Sequence, residues 1–321
     1  SANLSTDYNL ANSITILAGQ IADTIVLTAL NDTIYEGDET ASISISGVSN
    51  GTEDGVQSAN VVITEDESIP NLTLSTSTAS ILENGGTSQI IATLSHASTQ
   101  NITVNLSTSG DANQGVDYSL SNTILISAGD EQNSIVLTSV NDTIYEDDET
   151  ATISISGVTN GTENGVQSAD VVIAEDESIP SVSLSTAVDS VLEDGGTSQI
   201  IATLSHASAQ DITVNLSTSG DASQGVDYSL SNTILISAGD EQNSIVLTSV
   251  NDTIYEDDET ATISISSLTN ATEDGVQSAD VVIVEDDSIP SVILTTSVDS
   301  VLEDGGTSQI IATLSHASAQ D

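Results

Sequence analysis

The chain has 321 residues, 49 acidic side chains and no lysine or arginine, which gives it a formal net charge of −49. Nucleic acids, anionic membranes and phosphate ligands all require a positive protein surface, and only three histidines could supply one. The composition therefore excludes those partners and favours a cation as the charged ligand.

The core must be built from aliphatic residues and six tyrosines, because cysteine, methionine, tryptophan and phenylalanine are all absent. Without cysteine, no disulfide can stabilise the fold and no thiolate can bind zinc. The hydrophobic content of 37% is still enough for globular domains. No apolar run reaches the roughly 18 residues of a membrane helix, so we expect no membrane insertion in this segment.

Three motifs recur along the chain at steps of 110 residues, a period that matches one whole sandwich domain. They are Asp-Tyr at 7–8, 117–118 and 227–228, Ile-Tyr-Glu at 34–36, 144–146 and 254–256, and Ser-Ile-Pro at 68–70, 178–180 and 288–290. The predicted domains are a partial repeat 1–70, full repeats 71–180 and 181–290, and a partial repeat 291–321. Because both ends fall in mid-repeat, we expect a window on a longer polymer or fibre.

Within the repeat 181–290, short alternating segments separated by Gly, Asn, Asp and Ser clusters predict seven strands, named A to G. Their predicted bounds are Ser181–Ser185, Ser198–Leu204, Ile212–Ser217, Thr233–Ile236, Ser244–Val250, Thr260–Ser266 and Gln277–Val284. No segment has a helical period. The sequence therefore predicts an all-β fold of tandem immunoglobulin-like Greek-key β-sandwiches, arranged head to tail.

The acidic residues concentrate at one end of such a sandwich. If successive strands alternate in direction, the A–B, C–D and E–F loops and the end of strand G meet at one pole, and these segments hold twelve of the nineteen acids of the repeat 181–290. Like charges at that density repel one another, and the chain has no lysine or arginine to pair with them. Ca²⁺ takes about six to eight oxygen ligands, so we predict Ca²⁺ at this pole. The alternative is a solvated acidic surface or an adaptation to high salt.

At these residues the sequence resembles the Calx-beta domain family, found in sodium/calcium exchangers and in large bacterial surface proteins. The resemblance covers every repeat and follows one order of motifs. In the repeat 181–290 they are Leu192-Glu193-Asp194-Gly195-Gly196, Gly225-Val226-Asp227-Tyr228, Asp252-x-Ile254-x-Glu256-Asp257-Asp258-Glu259, and the closing run Glu285-Asp286-Asp287.

The resemblance implies Ca²⁺ at the pole where domains join, bound by carboxylates and by one isoleucine backbone carbonyl in each repeat. The implied ligands are Asp32, Ile34, Glu36, Glu39, Glu65, Asp66 and Glu67; Glu83, Asp142, Ile144, Glu146, Glu149, Glu175, Asp176 and Glu177; Glu193, Asp252, Ile254, Glu256, Glu259, Glu285, Asp286 and Asp287; and Glu303. Asn251, Ser219 and the initial Glu of the closing run depart from the family pattern. We expect one or two ions per junction, with affinities suited to calcium-rich surroundings.

Other side chains give no sign of a different site. His96, His206 and His316 recur once per repeat in Leu-Ser-His-Ala-Ser, too few for zinc, and are interpreted as turn residues. Tyr118 and Tyr228 are interpreted as packing residues with an anchored hydroxyl. No nucleophile, Lys, Arg or Cys supports catalysis, so we expect no enzyme.

The expected function is a calcium-stabilised structural repeat of an extracellular fibre, stalk or adhesin that associates with itself head to tail. Neighbouring segments would complete each other by chain continuity or by strand donation between subunits. Two alternatives remain: an adhesive module that recognises a surface receptor or glycan, and a calcium sensor that changes shape.

Overall fold

A computed structural model describes residues 1–55, 58–165, 167–275 and 277–320. The chain divides into two compact units, one formed by Ser1–Asn141 with Asp148–Asp176 and the other by Asp142–Asp147 with Glu177–Asp321. Regular structure in the described ranges consists of β-strands, so the all-β prediction is confirmed. The same ranges contain no helix with the length and apolar character of a membrane span.

The first unit begins with two small antiparallel pairs and continues into a ten-stranded sandwich. The pairs are β1 (Tyr8–Asn9) with β2 (Thr28–Ala29), and β3 (Glu39–Ser44) with β4 (Ser58–Ile63). The sandwich strands are β5 (Asn71–Thr76), β6 (Ser80–Leu82), β7 (Thr87–Leu94), β8 (Ile102–Gly110), β9 (Tyr118–Ser119), β10 (Thr123–Ile126), β11 (Gln132–Ser139), β12 (Glu149–Thr159), β13 (Thr162–Glu163) and β14 (Ser168–Ala174).

These ten strands form two sheets, ordered β10-β8-β12-β14-β6 and β13-β5-β7-β11-β9. Most neighbours are antiparallel, but β6 runs parallel to β14 and β13 runs parallel to β5. Consecutive strands lie in alternate sheets, so the chain crosses from one sheet to the other at every step from β5 to β14. These crossings place the loop ends of both sheets around the same core.

The second unit contains an equivalent sandwich and a final hairpin. Its sandwich strands are β15 (Ser181–Thr186), β16 (Ser190–Leu192), β17 (Thr197–Leu204), β18 (Ile212–Gly220), β19 (Tyr228–Ser229), β20 (Thr233–Ile236), β21 (Gln242–Ser249), β22 (Glu259–Thr269), β23 (Thr272–Glu273) and β24 (Ser278–Val284), followed by the hairpin β25 (Val292–Thr296) and β26 (Ile310–Leu314). The sheets are ordered β19-β21-β17-β15-β23 and β16-β24-β22-β18-β20.

The immunoglobulin-like prediction is confirmed, because the seven predicted strands A to G correspond to β15, β17, β18, β20, β21, β22 and β24. Three short strands, β16, β19 and β23, were not predicted. They are only two or three residues long, too short for alternation to reveal them. The domain boundaries drawn from the repeat motifs stay a prediction.

One residue in two from each sheet points inward to form an aliphatic core. In the second unit the fully enclosed side chains include Ile200, Ile212, Ile234, Leu247 and Ile263. Tyr228 is also fully buried, which agrees with its interpretation as a packing residue, but the hydroxyls of Tyr118 and Tyr228 have no hydrogen-bond partner among the described residues, so the expected anchor is not found. The core positions the strand ends, and the strand ends position the acidic loops.

Gly220 ends strand C at a position that allows no side chain. Its φ is +106°, and an added Cβ would lie 2.1 Å from the carbonyl oxygen of Thr260. Gly239 also has a positive φ, +83°, but has open space around it. We expect Gly220→Ala to destabilise this sandwich by more than about 2 kcal/mol, and Gly239→Ala by about 1 to 2 kcal/mol from backbone strain alone.

Hydrogen exchange of the full chain, followed by mass spectrometry of its peptides, separates these two effects. Peptides from 181–290 should lose protection more strongly in Gly220→Ala, while peptides from 71–180 serve as the internal reference. Equal losses in the two variants would contradict the close approach to Thr260.

Candidate metal centre

Acidic side chains from four separate segments line one pocket in the second unit. The segments are the A–B turn, the C–D loop, the E–F loop and the end of strand G, as the sequence predicted for one pole. The lining residues are Glu193, Asp227, Glu256, Asp257, Glu259, Ile283 and Glu285. The tertiary fold therefore gathers carboxylates that lie up to 92 residues apart in the chain.

The A–B turn holds Glu193 in place through its backbone. The Glu193 amide donates to the carbonyl of Val284 at 3.0 Å, and the Ser249 hydroxyl donates to the Glu193 carbonyl at 3.0 Å. The two glycines that follow are required, since Gly195 has a φ of +74° and a Cβ on Gly196 would lie 2.6 Å from a backbone oxygen. As a result Glu193 is only 9% exposed, and its carboxylate accepts a hydrogen bond from the Asp252 amide at 3.2 Å.

The Glu285 carboxylate joins the end of strand G to the E–F loop. It accepts from the Glu256 amide at 2.5 Å and from the Asp287 amide at 2.5 Å. In return the Glu285 amide donates to the Asp258 carboxylate at 3.1 Å. Backbone amides thus supply the positive ends of dipoles where the sequence has no cationic side chain.

The first partial repeat has the same arrangement. The Glu65 carboxylate accepts from the amides of Glu36 at 2.5 Å and Gly37 at 2.6 Å, and the Glu65 amide donates to Asp38 at 3.0 Å. The Ile34 amide donates a hydrogen bond to the Asp32 carboxylate at 2.7 Å, and the Ile254 amide donates to the Asp252 carboxylate at 2.6 Å. A geometry that recurs in both units is a property of the motif and not of one loop.

Two acidic groups are distinguishable at this pole. In each, one oxygen from every member lies within 4.8 Å of one oxygen from every other member. One group joins the A–B turn to the closing run, as in Glu193, Glu285 and Asp286. The other joins the C–D loop to the E–F loop, as in Asp7, Glu36 and Glu39.

The second group contains a residue that the predicted ligand set omitted. Asp227 lines the pocket with Glu256 and Glu259, and its counterparts Asp7 and Asp117 lie within 4.8 Å of Glu39 and Glu149 respectively. The Asp227 carboxylate accepts from the Ser223 amide at 2.6 Å, which fixes it in the loop. The sequence placed the Asp-Tyr motif at the same pole as the E–F loop, but only the fold shows that the Asp227 carboxylate lines the pocket with Glu256 and Glu259.

The remaining predicted ligands occupy equivalent loops. Glu83, Glu175 and Asp176 lie within 4.8 Å of one another in the first unit, as do Glu65, Asp66 and Glu67. Asp142 accepts from the Ile144 amide at 2.7 Å in the segment that belongs to the second unit. Glu146 lies in that same segment. Glu177 is the first residue of the later segment of the second unit. Glu303 is exposed in the turn of the final hairpin.

The electrostatics of the pole favour a cation. Burial, reinforced by the charges of Glu285, Asp252 and Asp286, raises the pKa of Glu193 to about 7. Burial and the neighbouring Asp227 raise the pKa of Glu259 to about 7. Burial also opposes ionisation of Glu65, but hydrogen bonds from three backbone amides outweigh it and lower the pKa of that carboxyl to about 2.

The donor set fits a hard divalent cation. It consists of carboxylate oxygens at short mutual distances, which Ca²⁺ prefers. In addition, the Oδ2 atom of Asp287 is buried and has no hydrogen-bond partner among the described residues. A buried carboxylate oxygen without a donor is costly, and a bound cation would satisfy it.

The E–F loop also contacts the repeat that follows it. Tyr255 donates its amide to the Ala317 carbonyl at 3.1 Å, and the Ala319 amide donates to the Tyr255 carbonyl at 3.0 Å. The same pair of bonds joins Tyr35 to Ala97 and Thr99, and Tyr145 to Ala207 and Ala209. The loop that carries the acids is therefore also a point of attachment between successive repeats.

A family comparison agrees with this geometry, since the Calx-beta domain model matches residues 1–67, 65–177 and 175–287. The chain belongs to the Calx-beta domain family. Among curated protein sequences, none matches this chain. The expectation of Ca²⁺ as the cofactor is supported by the family match together with the acidic groups.

Three solved structures similar to this Calx-beta chain are Calx domains. The calcium binding domain CBD12 of CALX1.1 is 15% identical with a TM-score of 0.31, covering 64% of this chain and 82% of that one. CBD12 from CALX1.2 is 15% identical with a TM-score of 0.30, covering 66% and 99%. The apo-form Calx CBD1 domain is 18% identical with a TM-score of 0.30, covering 34% and 100%. At these values the likeness adds nothing to the family match.

The raised pKa values predict how the stability of the metal-free chain depends on pH. Glu193 and Glu259 have a folded-state pKa of about 7, above the ordinary value of 4.5, so the folded state binds more protons than the unfolded state between those values. Their contribution to stability is complete below pH 4.5 and is lost as the pH rises through about 7.

Calorimetric melting in EDTA checks this prediction. The melting temperature of the transition that includes 181–290 should fall as the pH rises from about 5 to about 8. Replacing both residues, Glu193→Gln with Glu259→Gln, should flatten that slope, whereas Glu241→Gln at the opposite pole should not. A slope unchanged by the double replacement would contradict the assignment.

Proposed function

We propose that this chain is a calcium-stabilised structural segment of an extracellular fibre, stalk or adhesin, and that Ca²⁺ stiffens the junctions between its repeats. The role is mechanical and non-catalytic. The observation that carries the proposal concerns the E–F loop. This loop contains acidic residues that line the pocket, and its tyrosine forms backbone hydrogen bonds to the next repeat.

The coupling follows from the geometry of that loop. In the loop that ends at Glu259, only three residues separate Tyr255 from Glu259, and Glu256 directly follows the bridging tyrosine. A cation held by Glu256, Glu259 and Asp227 would remove the repulsion that otherwise spreads the loop. The cation would thereby restrict the backbone conformations of Tyr255. It would also restrict the motion of the next repeat, which Tyr255 contacts through its backbone hydrogen bonds to Ala317 and Ala319.

Each acidic pole would hold one or two ions. The group of Glu193, Glu285 and Asp286 and the group of Asp227, Glu256 and Glu259 would both bind at this pole, and Glu285 links them because its carboxylate accepts from the Glu256 amide. Part of the carboxylate capacity is already taken by backbone donors, which lowers the affinity. Sites of this kind in extracellular modules have dissociation constants of about 10⁻⁴ to 10⁻³ M.

A location outside the cell is part of the proposal, because sites of the weak affinity that we expect would fill only where free calcium is abundant. The absence of lysine and arginine also removes every cleavage site for trypsin-like proteases, which suits an exposed filament.

Self-association into a head-to-tail array is part of the proposal. In the final hairpin Val292, Leu294 and Ile310 are 60%, 71% and 66% exposed, whereas the equivalent Val182, Leu184 and Ile200 in the complete repeat are 0%, 8% and 0% exposed. Burying such side chains stabilises by about 1.5 to 3 kcal/mol each. Strands equivalent to those that cover Val182, Leu184 and Ile200 would fit this face, whether they come from the same chain or from a second copy.

Sedimentation of the full chain checks the array. We expect the average mass to rise with protein concentration, and Leu294→Ser with Ile310→Ser to suppress the rise. Val246→Ser, which alters a side chain that is 50% exposed in the complete sandwich, is the control. A chain that stays monomeric at every concentration would remove self-association from the proposal.

Calcium titration of the full chain tests the central claim. We expect Ca²⁺ in the millimolar range to raise the melting temperature and to reduce the flexibility measured by small-angle scattering, because the ion neutralises the acidic pole. Glu285→Gln removes a carboxylate that lines the pocket and should weaken the response about tenfold or more. Glu241→Gln removes one charge from the opposite pole and should leave the response intact.

The outcomes separate the alternatives. A response no larger than that to monovalent salt of equal ionic strength would mean that the carboxylates are only a solvated acidic surface. A sharp transition at micromolar Ca²⁺ with a large change in shape would favour a calcium sensor over a structural repeat.

A further inference from the structure

The turn between strands B and C contacts the linker that precedes its own repeat. This turn is Ser95–Thr99 in the first unit, with counterparts Ser205–Ala209 and Ser315–Ala319, and is called the docking turn below. It already receives the bridging tyrosine of the preceding E–F loop. Its histidine makes a second contact, which the sequence interpretation as an ordinary turn residue did not foresee.

In the first unit the His96 Nε2 atom lies 2.8 Å from the carbonyl oxygen of Ser68, in the linker Ser68-Ile69-Pro70. The Nδ1 atom lies 3.0 Å from the Ser95 hydroxyl, and that hydroxyl accepts from the Asn71 amide at 3.0 Å. A carbonyl can only accept, so Nε2 carries the proton. When the ring is neutral, Nδ1 therefore accepts from the Ser95 hydroxyl. The His96–Ser95 pair therefore holds the linker on both sides of Ile69 and Pro70.

The arrangement recurs wherever the motif recurs. His206 Nε2 lies 2.8 Å from the Ser178 carbonyl, and His316 Nε2 lies 2.5 Å from the Ser288 carbonyl. The adjacent hydroxyls of Ser205 and Ser315 each lie 3.0 Å from Nδ1 of the neighbouring ring. Three independent copies of one hydrogen-bond pattern indicate a specific contact.

The docking turn is itself fixed to the sandwich. Ser98 is 1% exposed, its carbonyl accepts from the Gly129 amide at 2.8 Å, and its hydroxyl donates to Tyr35 at 3.2 Å. On the linker side Pro70 is buried, and its carbonyl accepts from the Thr162 amide at 3.0 Å. A rigid turn facing a linker bonded at residues 68, 70 and 71 leaves that linker little freedom.

We propose that the docking turn is the surface by which each repeat recognises the repeat before it, and that its histidine locks the linker independently of any metal. The partner is the Ser-Ile-Pro linker together with the tyrosine of the acidic loop. Because Ser68 directly follows Glu65-Asp66-Glu67, the lock also holds the closing acidic run near the pole. This inference deepens the proposed structural function and rests on it, but its test requires no calcium.

The test is cleavage of the full chain in EDTA by a protease that cuts after glutamate. In His96→Ala we expect cleavage after Glu67 to be about tenfold faster, which corresponds to the loss of one to two hydrogen bonds. Cleavage after Glu177, beside the unchanged His206, is the internal control and should keep its rate. His96→Gln retains a donor on a side chain of similar reach and should restore much of the protection.

A second measurement reads the proton position directly. The chain has three histidines, so ¹⁵N-histidine labelling gives three imidazole signals, each of which should show a protonated Nε2 and an unprotonated Nδ1 in EDTA. Equal cleavage of His96→Ala and the unaltered chain, or a mixture of tautomers in all three rings, would overturn the proposal. If both results are as expected but calcium has no effect on the chain, the histidine contact stands and the calcium-dependent function is wrong.

Discussion

The repulsion among carboxylates at one pole of each sandwich is the constraint on which the rest of this structure depends. A chain with no lysine or arginine cannot neutralise the pole with side chains. The folded loops respond with backbone amides: Glu285 accepts from Glu256 and Asp287, and Glu65 accepts from Glu36 and Gly37. These dipoles neutralise only part of the charge, and burial together with the neighbouring carboxylates still raises the pKa values of Glu193 and Glu259 to about 7.

The sandwich makes that concentration of charge tolerable. Its core contains no phenylalanine, tryptophan or methionine, yet both complete repeats enclose equivalent clusters of isoleucine, leucine, valine and alanine with one buried tyrosine. Two packed sheets hold the strand ends rigidly. The loops between them can therefore keep like charges within 4.8 Å of one another without unfolding, and a cation entering the pocket would find the ligands already assembled.

Attachment between repeats uses the same elements. The tyrosine bridge starts from the acidic loop, and the histidine contact ends on the linker directly after the closing acidic run. Metal binding and attachment thus share backbone segments of only a few residues. In the structure we propose, the docking turn supplies a permanent attachment, and calcium supplies additional stiffness that depends on the surroundings.

The sequence by itself determined the strand content, the repeat and the acidic pole. Alternation in segments such as Thr262–Ser266 predicts which face is buried, and the period of 110 residues predicts whole domains. Turn chemistry around Leu192–Gly196 marks the loop that carries Glu193. These features are local, or repeat at a fixed spacing, so they can be predicted from the sequence. The ligand set itself stays a prediction, although the fold brings most of its members together.

Only the tertiary structure decided how Asp227 joins Glu256 and Glu259, and how His96 reaches Ser68. The first contact depends on strand E ending beside the C–D loop, where the Val250 amide donates to the Asp227 carbonyl at 2.9 Å. The second joins residues 28 positions apart across a turn. Asp227 and His96 both recur once per repeat, but their partners do not follow from that recurrence. A contact between loops depends on where the strands end in space, and that position is set by the packing of the two sheets.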